Sequence, residues 1–256
     1  MCISDIRSWM IQNKLKINDD KTEFLIMSSK RSKLDLESDI NIGDARIEPS
    51  DVCRNLGVMF DNHLSMANQI ETACKTMMFH LRNISSIRSL LTEPAAAQLV
   101  HSLVTSRMDY CNALLYGLPD CLLKKLQRIQ HIAARIVTRS EPFCEIDPVL
   151  SKLHWLKVKY RIRYKIVLLA FKCLHGLAPE YLSELIGVYS PQRNLRSSHK
   201  NLLDVPLVKR KTLGERCFMF AAPKEWKALP DDLRFCHSFD LFKSKLKTHL
   251  FNLCYK

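Results

Sequence analysis

The chain has 256 residues, of which 47% are hydrophobic and 25% are charged, and both values are ordinary for a globular protein. Its formal net charge of +13 lies almost wholly in residues 151–256, which hold 21 Lys and Arg against 8 Asp and Glu, whereas residues 1–61 hold 9 against 11. No segment approaches the roughly 20 apolar residues of a membrane span, and Asp5 and Arg7 interrupt the place of a signal peptide's apolar core, so we expect an intracellular protein of the cytoplasm or nucleus.

The first 61 residues predict a small α+β section. Ile6, Trp9 and Met10 have helical spacing, which predicts a helix that ends near Asn13. Strands are then expected over 22–28, over 40–47 with a break in the middle, and over 53–61. Two or three short strands are too few for an independent sheet, so we expect this section to leave an apolar patch exposed.

Adjacent aspartates occur twice, at Asp19–Asp20 and at Asp231–Asp232. Such a pair can hold the two divalent cations of a nucleotidyl-transfer site when it sits on a hairpin between apolar strands. Asp19 and Asp20 are instead followed by polar residues that begin with Lys21, and Asn and Asp favour turns. We therefore expect both pairs to be turns, and we predict no metal ligand and no catalytic residue in this chain.

From residue 64 the hydrophobic period becomes helical. One amphipathic helix of about 25 residues is expected first, and a second should be capped by Thr92 and run toward Leu115. A third is expected over 119–139, with Leu122, Leu126, Ile129, Ala133 and Ile136 on its apolar side. The opposite side carries four basic residues: Lys124, Arg128, Arg135 and Arg139. Two interpretations remain open for them, a solvated face and a stripe that contacts nucleic-acid phosphates.

Basic and apolar residues alternate strictly over 157–166, which is a strand signal. The continuation to Gly176 lacks this alternation and ends as helices do, so we predict one helix across the whole span. Its five basic residues would then surround the helix and suit an acidic polymer better than a core; they are Lys157, Lys159, Arg161, Arg163 and Lys165. A short helix over 180–186, a basic linker and two amphipathic C-terminal segments should follow, and the last segment should turn Phe239, Phe242, Leu246 and Leu250 to one side.

Cysteine and histidine patterns indicate no metal site. The 10 cysteines include no C-x-x-C pair, and the neighbours Cys173–His175 and Cys236–His237 lack a further pair that would complete a zinc site. Buried free thiols are expected. Hydrolase motifs are missing as well, and His154, beside a tryptophan, is expected to be a packing residue rather than a base.

Several segments in order carry a family resemblance: "NKLKINDDKTEFLIM", "NLGVMFD", "YCNALLYGLPDCLLKKLQRIQHIAARIVTR", "LHWLKV", "FKCLHGLAPEYL" and "APKEWKALP". Together they resemble the C-terminal part of reverse transcriptases from LINE-type, non-LTR retrotransposons. The resemblance implies a mainly α fold with five parts. They are a palm remnant over 1–61, a thumb-like helical bundle over 62–140, a helical extension over 141–187, a basic linker over 188–213, and a C-terminal helical region over 214–256.

The resemblance also implies site residues and partners. Lys21 would lie near the phosphates of the incoming nucleotide, and Asn55, Leu56, Gly57 and Val58 would form the primer grip, a β-hairpin. The helical parts would hold an RNA template and a DNA primer by their backbones. The Mg²⁺ ions of the parent polymerase bind carboxylates on an aromatic-x-Asp-Asp hairpin that belongs before Met1, in a palm and fingers segment that this sequence lacks. We therefore expect a reverse-transcriptase fragment without RNA-directed DNA polymerase activity. The alternative is a stand-alone basic helical module that binds nucleic acid or another protein.

Overall fold

The computed structural model describes residues 2–18, 21–28, 39–42, 45–190, 200–209 and 211–256. The fold is mainly helical, with 59% helix, 7% strand and two small antiparallel sheets. The chain divides into two compact units, Met1–Glu71 and Thr72–Lys256. The prediction of a mostly α fold with a small α+β part is therefore confirmed.

The first unit contains one helix and two β-hairpins. Its elements are α1 (Cys2–Gln12), β1 (Ile40–Ile42), β2 (Ala45–Ile47), β3 (Val52–Asn55) and β4 (Val58–Asp61), and α2 (Ala67–Ser86) begins within it. Helix α1 ends at Gln12, as the sequence predicts. Strands β1 and β2 pair as one hairpin, with Ile40 opposite Ile47, where the sequence predicts a single strand that is broken in the middle.

Two strand predictions in this unit need correction. The strand expected over 22–28 is only an isolated bridge between Phe24 and Pro49, because the described residues offer this segment no partner strand. The single strand expected over 53–61 is the hairpin β3–β4, whose two-residue turn is made by Leu56 and Gly57 at φ 46° and φ 82°. Positive φ at both turn positions fits the right-handed twist of paired strands, and glycine adopts it without a steric penalty.

The predicted turn at Asp19 and Asp20 lies outside the described residues. On its near side, the Asn18 side chain accepts a hydrogen bond from the Lys21 backbone N–H at 3.2 Å. The Thr22 hydroxyl also donates to the Asn18 carbonyl at 3.0 Å. These local bonds tie Lys21 and Thr22 to Asn18 and compete with an extended strand.

Helix α1 leaves its apolar residues exposed, which confirms the predicted patch. Ile3, Ile6, Trp9 and Ile11 expose between 42% and 64% of their surface, and none of residues 3–12 is buried. An exposed cluster of this kind is unusual for a monomeric protein.

The second unit is built of helices. They are the remainder of α2, then α3 (Glu93–Val100), α4 (Ser106–Asp109), α5 (Asp120–Thr138), α6 (Ile146–Lys152), α7 (Val158–Leu174), α8 (Glu180–Ser183), α9 (Lys211–Gly214), α10 (Phe218–Lys227), α11 (Asp231–Arg234) and α12 (Phe239–Cys254). Thr92 caps α3 as predicted, since its hydroxyl accepts from the Ala95 N–H at 3.3 Å. The second predicted helix does not run unbroken to Leu115: a π-helical turn over His101–Thr105 joins α3 to α4, and a 3₁₀ turn over Asn112–Leu115 follows.

Helix α7 is a core helix. It packs against α10, α12 and α5, and its residues Ile162, Ile166 and Phe171 are buried. The Phe171 ring stacks on Phe242 of α12 at a centroid distance of 4.1 Å. The prediction of a helix is confirmed for Val158–Leu174, but the expectation that this helix would suit an acidic polymer better than a core is wrong, because it packs in the core. Its apolar residues alternate with basic ones in sequence, yet helical geometry gathers them on faces that neighbouring helices cover.

The C-terminal helices complete this core. Phe242, Leu246 and Leu250 of α12 are buried as predicted, and Phe239 is half-buried beside them. Residues 191–199 of the predicted linker lie outside the described residues. Linker residues before and after this gap pack on the helices. Val188 bridges Leu203, which is 4% exposed, and the Trp226 ring N–H donates to the Asn201 carbonyl at 2.8 Å. The ranges 141–187 and 214–256 therefore share one hydrophobic core.

Two smaller expectations also differ from the structure. Asp231 and Asp232 form the first turn of α11 after Pro230, where a helix accepts acidic residues because they face its unpaired N–H groups. Of the nine described cysteines, only Cys173, Cys236 and Cys254 are buried, although all nine are free thiols.

Candidate nucleic-acid interface

The site residues expected in the first unit lie on a hairpin and in a turn. Asn55 and Val58 face each other as the last pair of β3–β4, and Leu56 at the tip is 85% exposed. A β-hairpin at this position is what the resemblance implies for a primer grip. Lys21 is exposed and its backbone is held by Asn18, so its side chain faces solvent.

The basic stripe on α5 has two halves with different roles. Lys124 and Arg128 are exposed on the solvent side of the helix. Arg139 donates to the carbonyls of Arg88 and Ser89 at 2.8 Å and 3.2 Å, and Arg135 donates to the Cys144 carbonyl at 3.4 Å. Both arginines therefore contact backbone segments at the end of α5, whereas Lys124 and Arg128 have no hydrogen bond or ion pair within the described residues.

A buried arginine caps the C-terminal end of α5. Arg88 is 9% exposed and donates to the carbonyls of Ile136, Val137 and Leu91 at 2.7, 2.6 and 2.6 Å. The first two belong to the last turn of α5, whose carbonyls have no partner within the helix. A cation at this end also faces the negative end of the helix dipole.

Three of the five basic residues around α7 are committed to intramolecular ion pairs. Lys157 pairs with Asp147 at 2.7 Å, Arg161 with Asp109 at 2.5 Å, and Arg163 with Glu225 at 2.6 Å. Their carboxylate partners come from α6, α4 and α10, so these pairs join α7 to its neighbours.

Lys159 and Lys165 are the remaining two basic residues of α7. Both are exposed, and neither has an ion pair with a described residue. They are the only members of the α7 set that the structure leaves available for an outside anion within the described ranges.

Lys165 lies at a surface cleft that also receives lysines from α12. We call it the basic cleft and define it by Arg161, Lys165, Lys243 and Lys247, which all line it. Its volume is about 470 Å³. Asp109 is the one carboxylate in its described lining, and it already pairs with Arg161. The three lysines are exposed and have no ion pair within the described residues, so the cleft presents uncompensated positive charge.

The walls of the basic cleft are aromatic and apolar. The rings of His101, from the π-helical turn, and Trp155 meet at an interplanar angle of 65° and a centroid distance of 5.5 Å. His154 is exposed beside the cleft, although the sequence suggested a packing residue, and its ring lies 5.6 Å from that of Phe251. Tyr164 of α7 lines the same space. Positive charge and aromatic rings thus share one cleft.

Burial and the positive charge of the cleft both lower the pKa of its histidine. Partial burial lowers the pKa of His101, and the positive charges of Arg161 and Lys247 lower that pKa further, while Asp109 acts in the opposite direction. His101 is therefore neutral near pH 7, since its pKa lies below the ordinary 6.5.

The sequence predicted helices that carry these basic residues, but it did not predict that the residues lie close together. The basic residues of α7 and the lysines of α12 are about 80 positions apart, and no local pattern connects them. The helical spacing of Lys243 and Lys247, one turn apart, was the only available signal that they share a face. His101 and Trp155 gave no signal at all.

The described part of the chain contains neither a metal-ligand cluster nor a membrane-spanning helix. Within the described residues, no three Cys, His, Asp or Glu side chains come together as a metal would require. In the same part of the chain, every helix is too short or too polar to cross a bilayer.

No family model matches the chain, and neither the curated proteins nor the solved structures provide a match. The functional interpretation therefore depends on the residues and on the geometry described above.

Proposed function

We propose that this chain binds nucleic acid through sugar-phosphate contacts and performs no catalysis. The observation that carries the proposal is the basic cleft, where three lysines without carboxylate partners come together from two helices. Lys124 and Arg128 on α5 add exposed positive charge elsewhere in the same unit. Basic side chains that lack internal partners are the groups that neutralise phosphates and release counterions.

We further propose that the chain is the C-terminal part of a LINE-type reverse transcriptase, with a palm remnant, a thumb-like bundle and a C-terminal helical region. The support is the order of sequence segments that resemble this family, the hairpin at Asn55–Val58 and the mainly helical second unit. In such an enzyme these parts would hold the RNA template and the DNA primer.

The binding proposal is tested by fluorescence anisotropy with short single-stranded and duplex oligonucleotides over a range of salt concentrations. If the three lysines contact phosphates, log K should fall with log salt with a slope of about −2 on a single strand. A flat salt response refutes the proposal.

A pair of variants localises the contact. Lys243→Glu with Lys247→Glu should weaken binding by about tenfold or more at low salt and reduce the salt slope by about 1.4. Lys245→Glu is the matched control: Lys245 is exposed on the same helix, but it points away from the cleft face because 200° separates it from either neighbour. The double variant reverses two charges and the control one, so a control loss in log K of about half that of the double variant would show that net charge alone, and not the cleft, governs binding.

The absence of catalysis is tested separately by primer extension with Mg²⁺ or Mn²⁺. We expect no template-dependent incorporation by this chain, since polymerases need paired carboxylates to hold two metal ions. Incorporation that persists in a highly purified preparation refutes this part of the proposal.

A second candidate function is protein binding through α1. It is favoured by the exposed residues Ile3, Ile6, Trp9 and Ile11, which no described residue covers. Light scattering after gel filtration tests it. Self-association or complex formation that Trp9→Ser abolishes would support this function, and a monodisperse monomer that binds nucleic acid would favour the first.

A further inference from the structure

We infer that the basic cleft is a nucleotide site that takes one phosphorylated nucleotide, with the phosphate among Arg161, Lys165, Lys243 and Lys247 and the base against the aromatic wall. The inference rests on the proposed function and names the unit of nucleic acid that the site recognises. The phosphorylated nucleotide can be free or can be the terminal residue of a strand.

The size of the cleft favours a single nucleotide over a duplex. About 470 Å³ lies within the roughly 300–1,000 Å³ that small-molecule sites occupy. A duplex backbone would need a groove or stripe, whereas the cleft is bounded by α4, α7, α12 and the segment 153–156. A ligand of one nucleotide's size fits such an open cleft, with part of its surface against the walls.

The charged side of the cleft is suited to a phosphate. Arg161 is the least exposed of the four cations, with its side chain 15% exposed. It donates to Asp109 at 2.5 Å and to the Leu156 carbonyl at 3.1 Å. These two bonds use its Nη1 and Nε, and its Nη2 has no hydrogen bond within the described residues. A fixed guanidinium with a remaining donor, together with flexible lysines, provides both orientation and charge for a phosphate group.

The aromatic side distinguishes a nucleotide from a bare anion. His101 is exposed and its ring contacts Trp155. Because its pKa is lowered, the ring is uncharged near pH 7 and can stack on a base. Tyr164 is half-buried in the same lining, where burial raises the pKa of its phenol and keeps it neutral. Histidine and tyrosine rings are among those on which unpaired bases stack. Inorganic phosphate would use none of this surface.

The arrangement also predicts how His101 responds to its ligand. Four cationic side chains line the cleft against one carboxylate, and two of the cations depress the His101 pKa. A bound phosphate brings negative charge among the same groups, which are Asp109, Arg161, Lys165, Lys243 and Lys247 together with His154. The His101 pKa should therefore rise toward or above 6.5 when the site is filled.

The test is NMR of the histidine rings in the full chain, titrated with adenosine 5′-monophosphate, with adenosine and with inorganic phosphate. We expect the nucleotide to shift the His101 resonances and raise its pKa, and to bind about tenfold more tightly than either adenosine or phosphate, because only the nucleotide uses both sides of the cleft. A nucleotide that binds no better than phosphate, or that leaves His101 unchanged, overturns the inference.

Variants and oligonucleotides complete the test. Lys243→Glu with Lys247→Glu should abolish the nucleotide-dependent shift, and Lys245→Glu should keep it. A strand with a 5′-phosphate that binds more tightly than its 5′-hydroxyl counterpart assigns the site to strand ends, and equal binding of the two strands assigns it to the free nucleotide.

The nucleotide inference and the proposed function can fail separately. If oligonucleotides bind with a steep salt response that the Lys243→Glu and Lys247→Glu changes remove, but mononucleotides do not bind, the inference fails and nucleic-acid binding stands. If no oligonucleotide binds, the proposed function itself fails.

Discussion

Replacing Arg88 by Met should strongly destabilise the second unit. The substitution keeps the aliphatic volume but removes the three donors that reach the carbonyls of Ile136, Val137 and Leu91. Hydrogen bonds to a charged group contribute about 1.5–3 kcal/mol each, but they are not additive, and the wild-type protein already bears the cost of burying the guanidinium. Each buried carbonyl left without a donor costs about 1–3 kcal/mol, and release of the buried guanidinium offsets part of the sum over three carbonyls, so we expect a loss of unfolding free energy of about 3–5 kcal/mol.

Urea unfolding followed by tryptophan fluorescence measures this loss, since Trp155 and Trp226 are both buried in the second unit. Arg82→Met is the control, because Arg82 is exposed on α2 and its change should stay within about 0.5 kcal/mol. Arg88→Lys should fall between the two, since an ammonium cannot reach three carbonyls in the geometry of a planar guanidinium. A loss below about 1 kcal/mol for Arg88→Met would show that the capping of α5 is not a major stabilising contact.

Three further predictions concern single contacts. Burial alone would raise the pKa of Asp61, but hydrogen bonds from the Ser65 and Met66 N–H groups outweigh burial and lower it below the usual 3.8. The stabilisation by the Asp61 carboxylate is therefore present above pH 3.8 and is lost as pH falls through the lowered pKa. Asp61→Asn should reduce the free energy of unfolding by about 1 kcal/mol at neutral pH and by little in acid. Urea unfolding at several pH values measures this difference. Gly57→Ala should weaken the β3–β4 hairpin by about 1–2 kcal/mol, because φ is 82° at this position. Leu56→Asn at the adjacent turn position should not weaken it, and amide hydrogen exchange in the two strands distinguishes these outcomes. Glu225→Gln should lower the pKa of Tyr116, which burial and the Glu225 carboxylate both raise; an unchanged pKa in a tyrosine-ring NMR titration would contradict the importance of that charge.

The ion pairs of α7 show why a basic sequence need not mean a basic surface. Arg161 and Arg163 each meet a carboxylate that is more than 50 positions away in the chain. These pairs neutralise part of the positive charge that made residues 151–256 look like a polyanion-binding region. Three of the lysines that have no ion pair within the described residues line the basic cleft.

Charge reversal along the predicted α5 stripe would therefore report on binding at some positions and on stability at others. At Lys124 and Arg128 it would test phosphate contact, because both side chains face solvent. At Arg135 and Arg139 it would break bonds to backbone carbonyls and reduce stability, so that a loss of binding there would not identify a binding residue.

The sequence by itself determined most of the helices and their caps. The end of α1 near Asn13, the Thr92 cap, the span of α5 and the buried face of α12 all follow from periodicity and from residues that satisfy unpaired backbone groups nearby. These are local effects, encoded within one or two helical turns, and local sequence is enough to specify them.

Only the tertiary structure decided which basic residues are free. Arg161 and Lys165 lie four positions apart on α7, yet one is paired with Asp109 and the other is exposed at the cleft. The residue pattern likewise predicted each hairpin as a single strand, because a strand needs a partner that its own pattern does not name, and only the family resemblance implied a hairpin at Asn55–Val58. Pairing depends on which distant groups the fold brings within a few ångströms, and that distance is a property of the packed chain and not of any segment of it.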